Sequence, residues 1–104
     1  MAFRVTWTEL AWQGVEAAAE YIARDSPWYA AALVEQARAV ARSLHQFPNR
    51  GRIVPEERDT AIRELFVHSR RLIYRLHGNE VQIINFIHGA RIYPSGPPES
   101  GSAG

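Results

Sequence analysis

The sequence predicts an α+β fold in which an antiparallel sheet carries a helical hairpin on one face, in the order β-α-α-β-β-β. The first residues alternate apolar and polar side chains, and the stretch that follows carries apolar residues at helical spacing. From about residue 60 to residue 88 the alternation returns. Because the chain has only 104 residues, we expect one domain over residues 1–93.

The first strand and the first helix are predicted to follow each other directly. Residues Phe3 to Trp7 alternate in polarity and include aromatic and β-branched types, which is typical of a strand. Thr8 suits an N-cap, and the helix is predicted from Glu9 to about Arg24. Its apolar stripe consists of Trp12, Val15, Ala19 and Ile22.

A second helix is predicted after Ser26 and Pro27, which supply a cap and a first-turn residue with a suitable φ. Its apolar residues are Leu33, Ala37, Val40 and Leu44. The short connection predicts an antiparallel pair of helices. Many alanines line the pair, which favours close packing of the two backbones; the alternative is a shallow groove in which another helix docks.

The stretch "FPNRGRIVPEERD" is predicted to be an exposed loop, in which the adjacent Glu56 and Glu57 are interpreted as solvated charge. Three strands follow at about 60–67, 70–76 and 81–88, with turns centred on "HS" and "GN". The last segment, 94–104, is rich in proline, glycine and serine and is predicted to be a disordered tail.

Side-chain alternation assigns these strands to two faces, with Phe66 opposite Arg71 and Leu76 opposite Val81. The face predicted to lie beneath the helices holds Leu65, Leu72, Tyr74, Leu76, Val81, Ile83 and Ile87, with Arg63 and Asn85 as exceptions. The opposite face is predicted to hold Ile62, Glu64, Phe66, Arg71, Ile73, Arg75, Gln82, Ile84, Phe86 and His88.

The second face is predicted to be an open, mixed surface. Arg71 and Arg75 stand two residues apart on it, with Glu64 in diagonal reach of both and with Phe66 and Phe86 beside them. One interpretation is that Glu64 pairs with both arginines and solvates an exposed sheet. The other is a surface that binds phosphates and bases, or an acidic peptide.

Composition excludes several functions. The sequence has no cysteine, and its four histidines show no metal-ligand spacing, so we expect no metal. We also expect no cofactor and no small-molecule substrate. All 12 basic residues are arginine. No segment has the length and apolar character of a membrane span or the pattern of a signal peptide, so we expect a cytoplasmic protein that does not bind membranes.

Four short motifs in order, "FPNRGR", "IREL", "RRLIYRL" and "FIHGAR", resemble those of the RelE/ParE superfamily of toxins from type II toxin–antitoxin modules. The resemblance covers the chain from Phe3 to Arg91. It implies a growth-inhibitory toxin of a stress-response module, neutralised by a cognate antitoxin protein. It also implies one of two targets, DNA gyrase for ParE-like members or the ribosome and its mRNA for RelE-like members.

For a RelE-like, metal-independent endoribonuclease, the resemblance implies Arg71 and Arg91 at the scissile phosphate, with Glu64 as base and His88 as acid. Ile62 and Glu64 stand where such nucleases commonly have lysines. The motifs "IREL" and "INFIHGAR" look more ParE-like, which implies a non-enzymatic inhibitor of gyrase. A degenerate toxin with only a regulatory role is a third possibility. Residues expected to bind the antitoxin or target are Arg63, Phe66, Arg71, Arg75, Phe86 and Arg91.

Overall fold

The chain begins with a strand that passes directly into a helix. The computed structural model describes residues 2–89, and in it β1 spans Arg4–Trp7 and α1 spans Glu9–Ala23. The Thr8 hydroxyl oxygen accepts a hydrogen bond from the Ala11 N–H at 3.1 Å. This bond satisfies one of the free donors in the first helical turn, as the sequence predicts for an N-cap.

The second helix, α2, spans Pro27–Ser43 and folds back along α1. The Ser26 hydroxyl accepts from the Tyr29 N–H at 3.2 Å, and Pro27 occupies the first turn. Trp12 near the start of α1 lies against Arg38 near the end of α2, so the two helices run antiparallel. Their facing residues bury an apolar stripe that consists of Ala11, Val15, Ala18, Leu33, Ala37, Val40, Ala41 and Leu44.

The remaining strands complete a five-stranded sheet. Strand β2 spans Arg52–Ile53, β3 spans Ile62–Val67, β4 spans Arg70–His77 and β5 spans Glu80–His88. The order across the sheet is β1-β5-β4-β3-β2. Strand β1 pairs with β5 in parallel, whereas the other neighbours are antiparallel. The predicted α+β class, with the helical hairpin on one face of the sheet, is therefore confirmed.

Both predicted hairpins have the expected register. Val67 pairs with Arg70 and His77 pairs with Glu80, so each turn contains two residues. The first residue of each turn has a positive φ, 57° at His68 and 61° at Gly78. Two-residue hairpins favour this conformation because its twist matches that of the strands. Phe66 lies opposite Arg71 and Leu76 opposite Val81, as predicted.

The face assignment is correct for β3 and β4 but wrong for the end of β5. Ile73 pairs with Asn85 whereas Tyr74 pairs with Ile83, so one extra β5 residue interrupts the ladder. Such a bulge reverses the side-chain alternation beyond it. Phe86 therefore pairs with Leu72 in the core beneath the helices. The residues that change sides relative to the prediction are Asn85, Phe86, Ile87 and His88.

The segment predicted to be a wholly exposed loop instead covers part of the opposite face. It contains the short strand β2, and Pro48, Gly51 and Val54 are buried. Val54 forms a second apolar cluster with Ile62 and Ile73, against which Ile84 and Ile87 also pack. The sequence prediction missed this because the segment has no alternating apolar pattern, and only Val54 from it joins the apolar cluster.

Tyr74 holds the beginning of this segment. Its hydroxyl donates to the Pro48 carbonyl oxygen at 2.7 Å and accepts from the Gly51 N–H at 2.9 Å. Arg63 donates to the Gly51 carbonyl oxygen at 2.8 Å and to that of Asn49 at 3.4 Å. These four bonds give the "FPNRGR" motif a structural explanation, because they require a bend with a residue lacking Cβ at position 51.

We expect Tyr74→Phe to lower the free energy of unfolding by about 1–3 kcal/mol, because it leaves a buried donor and a buried acceptor unpaired. Burial raises the pKa of Tyr74 above its ordinary value of 10.0. The neutral phenol therefore stabilises the fold below that value, and this stability is lost as the pH rises through the folded-state pKa. Urea unfolding from neutral to alkaline pH checks this. The difference between wild type and Tyr74→Phe should shrink at alkaline pH, and a constant difference would contradict it.

Neither helix among residues 2–89 combines the length and the apolar character that a bilayer crossing requires. The predicted disordered tail at 94–104 lies outside the described residues, as does Arg91.

Candidate functional site

The predicted arginine cluster contains a buried ion pair. Arg71 Nε donates to Glu64 Oε1 at 2.6 Å across the β3–β4 pair. Arg71 is 3% exposed and Glu64 is 0% exposed. The predicted proximity of these two side chains is confirmed. Burial of both charges is not what the sequence predicts, because an open face would have left them in water.

A second carboxylate covers the guanidinium from the loop after β2. The two terminal nitrogens of Arg71 donate to the two oxygens of Glu56 at 2.9 and 2.8 Å, a bidentate arrangement. Arg52 Nε donates to Glu64 Oε2 at 2.5 Å, so Glu64 accepts from two arginines. We call Arg52, Glu56, Glu64 and Arg71 the ion network; Glu64 and Arg71 are buried in it, Glu56 is partly buried and Arg52 is exposed. Its two cations and two anions leave it without net charge.

The hydrogen bond to Glu56 is the main reason why the pKa of Arg71 lies above its ordinary value, and Glu64 contributes in the same direction. Burial acts against this because it penalises the charged form. Arg71 therefore stays cationic at every accessible pH. Arg71 therefore connects the sheet, through Glu64, to the loop after β2, through Glu56.

Sequence reasoning missed two members of this network. It interpreted Glu56 as solvated charge and assigned Arg75 as the second partner of Glu64, whereas that partner is Arg52. Arg75 lies on the same face as Arg71 but is exposed. One signal that the loop folds back on the sheet was available. The carboxylate of Glu56 lies four residues beyond Arg52, and Val54, which is buried, lies between these two residues.

The structure separates the other residues predicted to form the site. Phe86 is buried beneath α1, so it does not lie beside Phe66. Phe66 is half exposed at the edge of the network, and the centre of its ring lies 5.6 Å from the Arg52 guanidinium. Arg63 lies on the helix side and holds the loop at Asn49 and Gly51. His88 is exposed at the end of β5 and pairs with Arg70. The predicted mixed surface therefore retains Arg75 and Phe66.

An apolar groove lies on the other side of the molecule, along α1. It consists of two adjoining cavities of about 460 and 370 Å³, which share Tyr21 and Arg70. Large apolar side chains at its rim, Leu10, Tyr21 and Tyr29, are more than half exposed. Its floor includes Gly14, Ala17, Ala18 and Phe86. We call this surface the α1 groove. It lies between α1 and β5 and beside the start of α2, rather than between the two helices, whose residues Ala11, Ala18, Ala37 and Ala41 pack in the core.

Among the described residues, no group of three or more histidine, aspartate or glutamate side chains is placed to hold a metal ion.

The family model of the ParE toxin of type II toxin–antitoxin systems, parDE, matches residues 5–93 of the chain. A search of curated proteins finds no match.

Three solved structures have similar folds. The chromosomal ParDE toxin–antitoxin system from P. aeruginosa aligns with a TM-score of 0.68 at 22% identity, over 84% of this chain and 96% of that chain. The toxin–antitoxin complex RelBE2 from Mycobacterium tuberculosis aligns with a TM-score of 0.55 at 24% identity, over 88% and 95%. The YoeB/ParE toxin from Agrobacterium tumefaciens aligns with a TM-score of 0.53 at 20% identity, over 82% and 96%.

Proposed function

The chain belongs to the family of ParE toxins of type II toxin–antitoxin systems, and we propose that it inhibits growth by binding DNA gyrase rather than by cutting RNA. Family membership supports the toxin role and leaves the target to be argued from this chain's own residues. The observation that carries the choice of target is the burial of Arg71 in the ion network.

A catalytic arginine must present its donors to a phosphate that arrives from solvent. The terminal nitrogens of Arg71 already donate to both oxygens of Glu56. A phosphate would have to displace that carboxylate, and each charge-assisted hydrogen bond contributes about 1.5–3 kcal/mol. The position that a scissile phosphate needs is thus occupied by the protein's own loop.

The predicted general base is equally disfavoured. Glu64 is 0% exposed and its two oxygens accept from Arg71 and Arg52. A general base must lie within hydrogen-bond reach of the proton that it removes, directly or through one water. A substrate hydroxyl has no route to this carboxylate while both arginines are in place. These contacts favour a toxin that acts by binding.

Expression in the absence of antitoxin tests the proposal. We expect growth arrest with filamentation and a DNA-damage response, which follow when gyrase is poisoned. His88→Ala should remain fully toxic, because His88 has a chemical role only in the nuclease hypothesis. Prompt translation arrest with intact DNA, abolished by His88→Ala, would instead favour the ribosome-dependent endoribonuclease. Unaffected growth with well-folded protein would favour the degenerate toxin.

We further propose that the cognate antitoxin places an amphipathic helix in the α1 groove. The apolar rim and the small floor residues of this groove fit a helix that inserts one apolar stripe. Exposed aromatic side chains such as Tyr21 and Tyr29 are typical anchors of protein interfaces. Arg70, which lines both cavities, would pair with an acidic residue of the antitoxin.

Filling the groove tests its role. We expect Ala17→Glu to weaken antitoxin binding at least tenfold, because it adds bulk and charge to the floor of the groove. Ala31→Glu is the control, since Ala31 is an exposed alanine on α2 that does not line the groove. Titration calorimetry with the antitoxin measures both variants. Equal affinities for the two variants would contradict the placement.

A further inference from the structure

The outer edge of β1 has unpaired backbone groups. This strand lies at the end of the sheet and pairs only with β5. The Arg4 N–H donates to the Asn79 carbonyl oxygen and the Thr8 N–H donates to that of Ile83. Because backbone groups alternate in direction along a strand, Thr6 also faces β5. Val5 and Trp7 therefore direct their N–H and carbonyl groups away from the sheet.

His45 closes one end of this edge. The Phe3 N–H donates to the His45 carbonyl oxygen at 2.8 Å, and His45 Nδ1 lies 2.6 Å from the Phe3 carbonyl oxygen. The outward N–H groups of Val5 and Trp7 have no acceptor within residues 2–89. The open part of the edge therefore runs from Val5 to Trp7. It is long enough for one short segment to pair with it.

Two arginines of α2 run along this open edge. His45, two residues beyond the end of α2, lies against Phe3. Further back along α2, the Arg38 guanidinium lies 4.9 Å from the centre of the Trp12 ring. The centres of the Trp12 and Trp7 rings are 5.1 Å apart. The helix end and β1 are thus antiparallel neighbours. A cavity of about 190 Å³ between them is lined by Val5, Trp7, Arg38, Ala41, Arg42 and His45.

The spacing of the arginines matches that of a strand. Arg38 and Arg42 are one helical turn apart, about 6 Å along the axis. Alternate residues of a strand are about 6.6 Å apart and point to the same side. Both arginines are exposed, and within the described part of the chain neither lies within salt-bridge distance of a carboxylate. Two carboxylates on alternate residues of an added strand would meet them.

We propose that the β1 edge binds an extended acidic segment of a partner protein by strand addition, with carboxylates on alternate residues paired to Arg38 and Arg42. Backbone bonds to Val5 and Trp7 give this interaction its register, and the arginine pair selects the charge pattern. A second copy of this chain fits poorly, because a symmetric pairing of two β1 edges brings four arginines together. The inference does not depend on the choice of gyrase or ribosome as target.

Two peptides test the proposal. One carries two glutamates separated by a single valine, within a short sequence of β-branched residues; its isomer carries the same two glutamates side by side. Adjacent residues of a strand point to opposite faces, so only the first peptide directs both carboxylates at α2. We expect the first peptide to bind at least tenfold more tightly, and to slow hydrogen exchange at the Val5 and Trp7 amides.

Variants separate charge from backbone pairing. Arg38→Ala with Arg42→Ala should weaken binding of the first peptide at least tenfold, whereas Arg24→Ala, at an exposed arginine outside this edge, should leave it unchanged. Val5→Pro removes one outward N–H at an edge position that tolerates proline. It should also weaken binding at least tenfold, with circular dichroism as the check that the variant is folded. Equal affinity for the two peptides, unprotected Val5 and Trp7 amides, or pairing of two protein copies through β1 would overturn the proposal.

Discussion

Arg71→Ala lowers the free energy of unfolding by about 3–5 kcal/mol, because it removes the partner of a buried carboxylate. Glu64 is 0% exposed and would keep only Arg52 as a cationic partner. Glu56 would lose its bidentate contact, so the loop after β2 would also lose its tie to the sheet. A loss of this size is a large part of the stability of an ordinary protein of this length.

Urea unfolding monitored by circular dichroism measures this effect, and Arg75→Ala is the matched control. Arg75 lies on the same strand and face but is exposed, so its replacement should change stability by about 0.5 kcal/mol or less. The double variant Arg71→Met and Glu64→Leu removes both buried charges and should recover most of the lost stability. Similar small effects for Arg71→Ala and Arg75→Ala would show that Arg71 and Glu64 are not buried as described.

Gly14→Ala is expected to destabilise the protein by about 3 kcal/mol, at the upper end of what overpacking causes. An added Cβ would overlap the Phe86 carbonyl oxygen and lie 3.1 Å from Phe86 Cβ. The obstacle is backbone of the central strand pair, which cannot move aside as a flexible side chain can. Helix α1 approaches β5 this closely only because position 14 has no side chain.

The sign of the Gly14→Ala effect is decisive, because helix propensity alone predicts the opposite result. Alanine in a helix interior is about 1 kcal/mol more favourable than glycine. Thermal unfolding should show a lower midpoint for Gly14→Ala if close packing dominates. A raised midpoint would mean that α1 lies farther from β5 than the structure has it.

Local sequence patterns predicted both helices, every strand except β2 and both hairpin turns, because each depends on residues close in the chain. Thr8 and Ser26 cap their helices through bonds to residues three positions on. The two-residue turns follow from His68 and Gly78, which adopt positive φ. The bulge in β5 was missed, although the adjacent Ile83 and Ile84 and the polar Asn85 on the predicted core face interrupt the alternation where the register shifts.

The candidate site was predicted less well because it depends on contacts between distant segments. Glu64 and Arg71 share a face by alternation, so their pairing followed from the sequence. The approach of Glu56 requires the loop to fold back over β3 and β4, and the only local sign of this is a carboxylate shortly after Arg52 and Val54. That contact covers the guanidinium of Arg71 with a carboxylate and joins the loop to the sheet.

The most direct test of a binding toxin is a DNA supercoiling assay with purified gyrase and this protein, alongside mRNA cleavage on programmed ribosomes. We predict that the protein inhibits supercoiling in proportion to its concentration and leaves ribosome-bound mRNA intact. Cleavage of that mRNA at the A site, with supercoiling unaffected, would contradict the proposed function.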